Sequence, residues 1–364
     1  MRIEPSRSIA PRMPENGLRL GFENRVAEVS RGDRRSQGVS SGGFPGPQLL
    51  AVTEAAWKSR ARILMRSVTA ACEAGVRAGR KYGMERTAVN LGGVAIGSSV
   101  MNASGPRSAE RGELYELCAV HTGPLVFKSC NAAGLEEPEN LKNRGVEHFA
   151  AIARELGARG KILVASVIGA SDGELVNVAR TLDQAGVSII ELNLADDYVQ
   201  RALAPFASVE RLGSLLRPVR EATAAVLAVK LPQTGLSIEP RRMVELMKSL
   251  GVGVLVCAND LPKDLDIDIA SATVAGEPRA LSQVHTFYRQ AAGMLDIVAV
   301  GGVNTGRDAY IAHLTGAKAV QVGSALIKEG AGALGRIDRE LDALLAESGK
   351  RSVSEIIGAV RFSG

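Results

Sequence analysis

Eight short apolar runs recur between residues 99 and 324, and they restrict the fold more than any other feature of the chain. The runs are SVMNAS (99–104), PLVFKS (124–129), ILVASV (162–167), SIIELN (188–193), AVLAVK (225–230), GVLVCA (253–258), DIVAVG (296–301) and AVQVGS (319–324). Stretches with helical periodicity, such as GELVNVARTLDQAG and PRRMVELMKSLGVG, lie between them. Continuous apolar strands that alternate with helices predict a parallel sheet covered on both faces. Eight repeats in about 270 residues favour a closed (β/α)8 TIM barrel over residues 90–364 rather than an open sheet.

The N-terminal part of the chain has a different composition. Residues 1–46 are rich in Arg, Ser, Gly and Pro, which predicts a disordered arm. Residues 47–89 are predicted to contain a basic amphipathic helix at 47–82, whose apolar stripe consists of Leu50, Trp57, Leu64, Val68, Cys72 and Val76. Two interpretations of this helical extension are open: docking to a membrane surface or a protein, or packing on its own domain with its basic residues in solvent. We favour the second.

Charge and cysteine usage exclude several classes of protein. The net charge of +5 comes from residues 1–90, so the barrel is not expected to bind nucleic acid. The four cysteines lie in separate segments without a CxxC pair, which predicts neither a zinc site nor a disulfide framework and fits a reducing cytoplasm. The four histidines lack a carboxylate at ligand spacing, so no metal site is predicted. No apolar run reaches the roughly 20 residues of a membrane span, and no secretory signal is recognisable.

The predicted strands end in polar residues and glycines, at the edge of a barrel where catalytic groups gather. Lys128 and Lys230 are better explained by an anionic or electron-rich ligand than by a salt bridge at the rim. Asn193 and Asn259 each offer a donor and an acceptor, which suits a heterocycle with amides or carbonyls. Gly301-Gly302 and Gly323-Ser324 follow the last two strands, where backbone N–H groups can approach a phosphate.

Six motifs at these strand ends resemble the dihydroorotate dehydrogenases, especially the class 1 enzymes. The motifs are MNASG, KS, ELNL, VKLP, GGVNTGRDA and QVGSALIKEG, and the resemblance extends over about residues 90–360. It implies flavin mononucleotide (FMN) across the barrel mouth and a homodimer. The flavin contacts that it implies are Ala103, Ser104, Gly105, Lys128, Ser129, Asn193 and Lys230. The phosphate is expected at Gly301, Gly302, Gly323 and Ser324, and a lysine such as Lys128 stabilises the anionic reduced flavin.

The resemblance also assigns substrate contacts, and here the chain departs from the family. Asn131, Asn193 and Asn259 match substrate-gripping positions, with Asn131 opening NAAGLEEPEN, a degenerate form of the family's N-S-M-G-L-P-N. The stretch that normally separates this motif from KS is almost absent, so we expect a more open pocket. Where the family reads E-L-N-L-S-C-P-N, with cysteine or serine as the base, this chain reads ELNLADDY. Asp196 stands at the base position and Tyr198 replaces another asparagine.

Two interpretations of Asp196 are open. As a base, a partly desolvated carboxylate beside Asp197 would take up a proton more readily, and only one of the two acids should face the flavin. Alternatively, both acids are solvated loop residues. We favour the catalytic interpretation; in a reductive reaction a protonated Asp196 would be the acid. Cys130 is a weaker candidate, because buried cysteines are usually inert.

The segment TVAGEPRALSQV is also altered, with Glu277 in place of a family lysine. Retained cofactor motifs beside altered substrate loops predict a changed substrate and not a lost cofactor. We therefore expect a cytoplasmic, FMN-dependent oxidoreductase that transfers a hydride between flavin and the CH–CH bond of a small cyclic carbonyl or amide. The alternatives are a genuine dihydroorotate dehydrogenase with Asp196 as base and a non-catalytic flavin-binding subunit. The second electron partner is open.

Overall fold

The computed structural model of the chain describes residues 84–137, 141–259, 267–269, 271–275 and 283–363. The predicted arm (1–46) and the predicted helix (47–82) lie outside these residues, as does Glu277. In chain order the strands are β1 (Val89–Leu91), β2 (Val94–Ile96), β3 (Val100–Asn102), β4 (Leu125–Val126), β5 (Leu163–Val167), β6 (Ile189–Asn193), β7 (Val226–Lys230), β8 (Val252–Ala258), β9 (Ile267–Asp268), β10 (Thr273–Ala275), β11 (Asp296–Val300), β12 (Ala319–Val322) and β13 (Arg361–Ser363).

The eight predicted strands form one parallel sheet that is nearly closed into a barrel. Its order is β3-β12-β11-β8-β7-β6-β5-β4, and neighbouring strands pair in parallel throughout. Residues of β5 and β6 are buried at each position, because one face of the sheet lines the barrel interior and the other is covered by helices. The predicted (β/α)8 TIM barrel is therefore confirmed.

The seam between β3 and β4 is bridged by a side chain. The Asn102 amide donates to the Val126 carbonyl at 2.6 Å and accepts from the Val126 N–H at 2.9 Å. The side chain thus takes the place that a backbone ladder occupies between other neighbouring strands, and it satisfies two buried polar groups of β4.

Helices alternate with the strands as the periodicity predicted. They are α1 (Arg111–Val120), α2 (Val146–Gly157), α3 (Asp172–Gln184), α4 (Asp197–Leu203), α5 (Val209–Ala222), α6 (Pro240–Ser249), α7 (Gln283–Ala291), α8 (Gly306–Leu314), α9 (Ser324–Glu329) and α10 (Gly332–Glu347), with 3-10 turns at Met84–Thr87 and Val353–Glu355. Side-chain caps define several starts: Ser171 accepts from the N–H of Glu174, and Thr305 from that of Asp308. Their apolar faces pack on the strands and complete the core.

Two small sheets accompany the barrel. β1 and β2 form an antiparallel hairpin, and the N–H of Gly92 at its turn donates to Asp296 at 2.7 Å, at the start of β11. The hairpin therefore lies at the N-terminal end of the barrel. The third sheet pairs β10 with β9 and with the C-terminal strand β13, so the end of the chain joins the excursion that follows β8.

One expectation about the cysteines is wrong. Cys118, buried on α1, is disulfide-bonded, whereas no disulfide was expected; Cys130 and Cys257 are free and buried. The separate spacing of the four cysteines gave no sign of this bond, because a fold can bring together positions that are distant in sequence. Among the residues that the structure describes, no helix combines the length and apolar character needed to span a membrane.

Candidate active site

Three charged side chains meet at the C-terminal mouth of the barrel. Lys128 follows β4 and is only 9% exposed, whereas Lys230 ends β7 and is half-buried. Burial lowers the pKa of Lys128; the Asp196 carboxylate opposes this shift and the Lys230 ammonium adds to it. The structure thus brings these three predicted residues together in a partly desolvated cluster that carries a net positive charge.

The Asp196-Asp197 pair marks the start of a helix. β6 ends at Asn193, and Asp196 is the N-cap of α4, its Oδ1 accepting from the N–H of Tyr198 at 3.0 Å. Asp197 is 89% exposed in its side chain and lies 3.9 Å from Arg201 one helical turn later. The charge of Asp196 acts on Lys128, and both acids line a neighbouring cavity at the start of α4. The pair belongs to a helix start and not to an extended strand, so the alternation of side chains along a strand does not apply to it.

Asn193 joins the serines at the first strand ends. Its Nδ2 donates to Ser129 Oγ at 3.1 Å, and Ser129 Oγ lies 3.5 Å from Ser104 Oγ. Asn193 is only 7% exposed, and its Oδ1 is buried without a hydrogen-bond partner in the described part of the chain. A buried amide oxygen without a partner is costly, and a ligand with a donor at this position would satisfy it.

Below Asn193, a chain of hydrogen bonds runs into the barrel interior. Ser129 Oγ and Ser166 Oγ are 2.9 Å apart, Ser166 donates to Glu191 Oε1 at 3.2 Å, and Gln321 Nε2 donates to Glu191 Oε2 at 2.6 Å. All of these side chains are buried. We call Asn193, Ser129, Ser166, Glu191 and Gln321 the polar chain. It connects the mouth to a carboxylate deep inside an otherwise apolar barrel.

The predicted phosphate loops are linked to each other. Gly301 and Gly302 follow β11 with φ values of 102° and 71°, which glycine adopts without strain. Asn259 Nδ2 donates to the Gly301 carbonyl at 3.0 Å, and Asn304 Nδ2 donates to that of Gly302 at 3.0 Å. Asn304 Oδ1 in turn accepts from Ser324 Oγ at 3.0 Å. Asn304, which the sequence analysis overlooked, therefore connects the loops after β11 and β12.

Small residues leave room beside these loops. The N–H of Ala103 donates to the Val322 carbonyl at 2.8 Å, which aligns the ends of β3 and β12. A Cβ on Gly323 would lie 3.9 Å from Ala103 Cβ, and one on Gly105 would meet nothing within 4 Å. The space above these strand ends is therefore open to a flat ligand.

Asn131 serves a turn. Its Oδ1 accepts from the N–H of Gly134 at 3.0 Å. Leu135 and Asn143 then pair through two backbone hydrogen bonds, which close the loop 131–145 on itself. The side-chain oxygen of the predicted substrate contact is thus engaged in a local hydrogen bond.

Glu174 on α3 ties two mouth loops together. Its carboxylate accepts from the N–H of Ala132 at 3.2 Å and from that of Ala170 at 2.8 Å. Burial, followed by the charge of Glu174, raises the pKa of Tyr198. Tyr198 therefore stays a neutral phenol and can donate a hydrogen bond from its hydroxyl.

Cys130 has the properties of a packing residue. It is 1% exposed, and burial raises the pKa of its thiol to about 12. A thiol that stays protonated in this way is a poor base, so the alternative that Cys130 replaces the family base receives no support.

Two cavities border the mouth, each of about 770 Å³, within the size range of ligand sites. The first lies beside Lys128 and is lined by charged residues that include Arg107, Glu113 and Lys142. The second lies between Leu141 and the start of α4, where Asp196 and Tyr198 line it. Asp196 therefore faces both the lysine cluster and a space large enough for a small ring.

Glu191 and Gln321 escaped the sequence analysis. Each is a polar residue flanked by apolar residues inside a predicted strand, in SIIELN and AVQVGS. A charged residue at an interior position of a buried strand is a usable signal, because such a group needs hydrogen-bond partners. Here the partners come from neighbouring strands, which the sequence order does not reveal.

Comparisons with known proteins point to one family. The sequence profile described as dihydroorotate dehydrogenase matches residues 128–345. A relative from Streptococcus equi that bears the name of a dihydroorotate dehydrogenase A (fumarate) is 26% identical over 309 residues, covering 77% of this chain and 99% of the relative. A protein of Streptococcus pneumoniae with the same type of name is likewise 26% identical over 309 residues, with the same coverage.

Solved structures show the same fold. Ligand-free dihydroorotate dehydrogenase from Eimeria tenella aligns with a TM-score of 0.63 at 18% identity, over 76% of this chain and 92% of that one. Its complex with ferulenol gives a TM-score of 0.60 at 16% identity, over 76% and 88%. Members of the family that the profile describes are FMN-dependent oxidoreductases that act on CH–CH groups. The chain belongs to the dihydroorotate dehydrogenase family, and it is an oxidoreductase of that kind.

Proposed function

We propose that this chain binds FMN across the barrel mouth and uses it to oxidise or reduce the CH–CH bond of a small cyclic carbonyl or amide other than dihydroorotate. FMN would supply the hydride chemistry when bound. The residues present fit this cofactor and a ring bound beside it: Asn193 and Asn259 each hold a buried amide oxygen without a hydrogen-bond partner in the described residues. Both are at the mouth, where the single N–H of the flavin ring would satisfy Asn259 and a ring N–H of the substrate would satisfy Asn193.

The cations and glycines of the mouth fit the rest of the cofactor. Lys128 and Lys230 would stabilise negative charge on a bound ring, because their cluster carries a net positive charge in a partly desolvated place. The linked loops at Gly301–Gly302 and at Ser324 would hold the phosphate through backbone N–H groups and a hydroxyl.

Asp196 would transfer a proton to or from the substrate carbon. Its Oδ1 is fixed by the N–H of Tyr198, so Oδ2 is the atom available to a substrate carbon. The cap bond restricts the rotation of the carboxylate, which holds this oxygen in one orientation. When the substrate is oxidised, Asp196 would act as a base and take the proton. When the substrate is reduced, it would act as an acid and give the proton.

The observation that carries a changed substrate is the helix start at Asp196. The acid that caps α4 belongs to a mouth segment in which Asp196 and Tyr198 line the cavity. The loop 131–145, closed on itself by its own hydrogen bonds, forms the opposite wall through Leu141. The sequences of these two walls depart from the family motifs. The strand ends that would hold the flavin, in contrast, retain the family motifs.

Anaerobic reduction of the purified, FMN-loaded protein tests the proposal. The visible absorbance of the oxidised flavin is followed after addition of dihydroorotate, and separately after addition of a panel of cyclic enones, lactams and dihydropyrimidines to oxidised and dithionite-reduced protein. We expect no bleaching with dihydroorotate and a change with at least one panel compound. Protein that retains no FMN after desalting would overturn the cofactor assignment.

A genuine dihydroorotate dehydrogenase with Asp196 as base is the second candidate. The names of the streptococcal relatives support it, since they match 77% of this chain at 26% identity. Rapid bleaching by dihydroorotate that is lost in Asp196→Asn and kept in Asp197→Asn would establish this second candidate instead.

A further inference from the structure

The polar chain has one direction of hydrogen-bond donation, and the direction follows from Glu191. Both oxygens of Glu191 accept, Oε1 from the Ser166 hydroxyl at 3.2 Å and Oε2 from the Gln321 NH2 group at 2.6 Å, so the single proton of Ser166 is given to Glu191. Ser129 Oγ lies in donating geometry to Ser104 Oγ at 3.5 Å and is 2.9 Å from Ser166 Oγ. Its single proton goes to Ser166, because Ser166 has no second proton and the shorter contact would otherwise join two acceptors. With its own proton used, Ser129 can only accept from Asn193, which therefore presents its NH2 group at 3.1 Å.

This direction determines what Asn193 presents at the mouth. Its NH2 group is turned down toward Ser129, so its Oδ1 is turned the other way, where it is buried and without a partner in the described residues. The side chain is 7% exposed, so water satisfies this oxygen poorly. A ligand that places an N–H there would be stabilised, and a ligand that places an oxygen or a methyl group there would be rejected.

We propose that Glu191 is a positioning residue that fixes the orientation of the Asn193 amide through Ser166 and Ser129. The site thereby selects a ring with an N–H donor, a lactam or imide, and not a ring that offers only acceptors at this place. The ligand part of this inference rests on the proposed function; the orientation of the amide does not. Gln321 supports the arrangement, because its NH2 group holds the other oxygen of Glu191 at 2.6 Å.

A count of protons makes the proposal testable. The three contacts between Asn193, Ser129, Ser166 and Glu191 need three protons, of which two come from the serines and one from the NH2 of Asn193. Asn193→Asp removes that proton and leaves one contact between two acceptors. Glu191→Gln in the same chain returns a proton from the other end and reverses the direction. Both substitutions are isosteric, so packing is kept.

The experiment is a double-mutant cycle in urea denaturation at pH 8, where a carboxylate at position 193 is ionised. Asn193→Asp should lower the denaturation midpoint strongly. Glu191→Gln alone should lower it little, because the new amide can present either its oxygen or its NH2 group to Ser166 while Gln321 turns to match the other end. The double variant should recover at least half of the loss caused by Asn193→Asp. Losses that simply add, or a double variant worse than either single one, would overturn the proposal.

A binding measurement tests the ligand class. The probes are dihydrouracil and its 1,3-dimethyl derivative, titrated into FMN-loaded protein with flavin absorbance as the readout. Wild-type protein should prefer dihydrouracil by about tenfold or more, and Glu191→Gln should reduce this preference to about threefold or less, since the Asn193 amide is then free to turn. Equal preference in the two proteins would contradict the selection of an N–H donor.

The two measurements separate this inference from the proposed function. If no protein in the series retains FMN, the proposed function fails, while the denaturation cycle still decides the orientation of Asn193. If FMN is retained and the cycle is additive, the proposed function stands and the role of Glu191 falls.

Discussion

The side-chain amide of Asn102 makes two hydrogen bonds to the backbone of Val126, one as donor at 2.6 Å and one as acceptor at 2.9 Å. It bridges β3 and β4, the two ends of the eight-stranded order. Closure of this barrel therefore depends on a side chain at the seam, whereas backbone ladders join the other neighbours.

Asn102→Leu should destabilise the protein by about 3 kcal/mol, because the buried N–H and carbonyl of Val126 both lose their partner. The free energy of unfolding in urea measures this loss. Asn177→Ala is the control, since Asn177 is exposed on α3 and its side-chain oxygen accepts from Arg180 on the surface; it should change stability by less than about 0.5 kcal/mol. Equal effects of the two substitutions would show that the seam does not need Asn102.

Substitutions of Asp196 separate its capping role from its proposed chemistry. Asp196→Asn keeps an acceptor for the N–H of Tyr198, so stability should stay within about 0.5 kcal/mol. Asp196→Ala should cost about 1 kcal/mol more, as is usual for loss of a cap. Both should slow flavin reduction by substrate about 100-fold or more in stopped-flow measurements. Near-normal reduction by the asparagine variant would remove Asp196 from the mechanism.

Stability should rise with pH above neutrality because of Lys161. This buried lysine donates to the His121 carbonyl at 2.7 Å, and burial lowers its pKa from 10.5 to about 7. Between these two pKa values the unfolded chain binds the extra proton, so raising the pH favours the folded state. From pH 7 to pH 9 this contribution amounts to about 2 kcal/mol.

The pH dependence has a clear control. Lys161→Met should flatten the rise in unfolding free energy over pH 7–9, whereas Lys248→Met, at an exposed position of α6, should leave it unchanged. The carboxyl of Asp338 acts in a different window: burial raises its pKa from 3.8 to about 6, so its contribution is lost as the pH rises through that interval. A lysine variant with the wild-type slope would contradict the assignment.

The ring of Tyr288 is packed against glycine backbone. A Cβ on Gly358 would lie 2.2 Å from the Tyr288 ring, and the residue has φ +70°. Gly358→Ala should therefore cost about 3 kcal/mol through overlap and strain together. Gly349 has the same φ of +70° with nothing within 4 Å, so Gly349→Ala should show the strain alone, at about 1 kcal/mol. Similar losses of stability for the two substitutions in thermal unfolding would show that the Tyr288 ring moves aside for the new Cβ.

The barrel could be predicted because its strands are apolar on both faces, and continuous runs such as SIIELN have few other uses. The extent of β4 could not. The run PLVFKS predicted six strand residues, yet the regular strand is Leu125–Val126. The N–H of Phe127 still donates to Val164 in β5, but the N–H of Ser129 donates instead to the Ser104 carbonyl after β3. Chemistry at the mouth thus interrupts a strand whose sequence looks regular.

The residues at the mouth of the candidate site could be predicted from the sequence, whereas the polar residues inside the barrel could not. Lys128, Asn193 and Lys230 end strands, where the topology of a barrel gathers side chains. Glu191 and Gln321 lie inside strands, and their contact joins residues 130 positions apart. Hydrophobic patterning identifies which elements are buried, but it does not tell which polar side chains will meet across the interior.

Glu174 gives the mouth a mechanical property of its own. One carboxylate accepts from the N–H groups of both Ala132 and Ala170. An outward movement of either loop would therefore also weaken the hydrogen bond to the other loop. The two loops should therefore open together, and the amide hydrogens of Ala132 and Ala170 should exchange with solvent deuterium at one common rate.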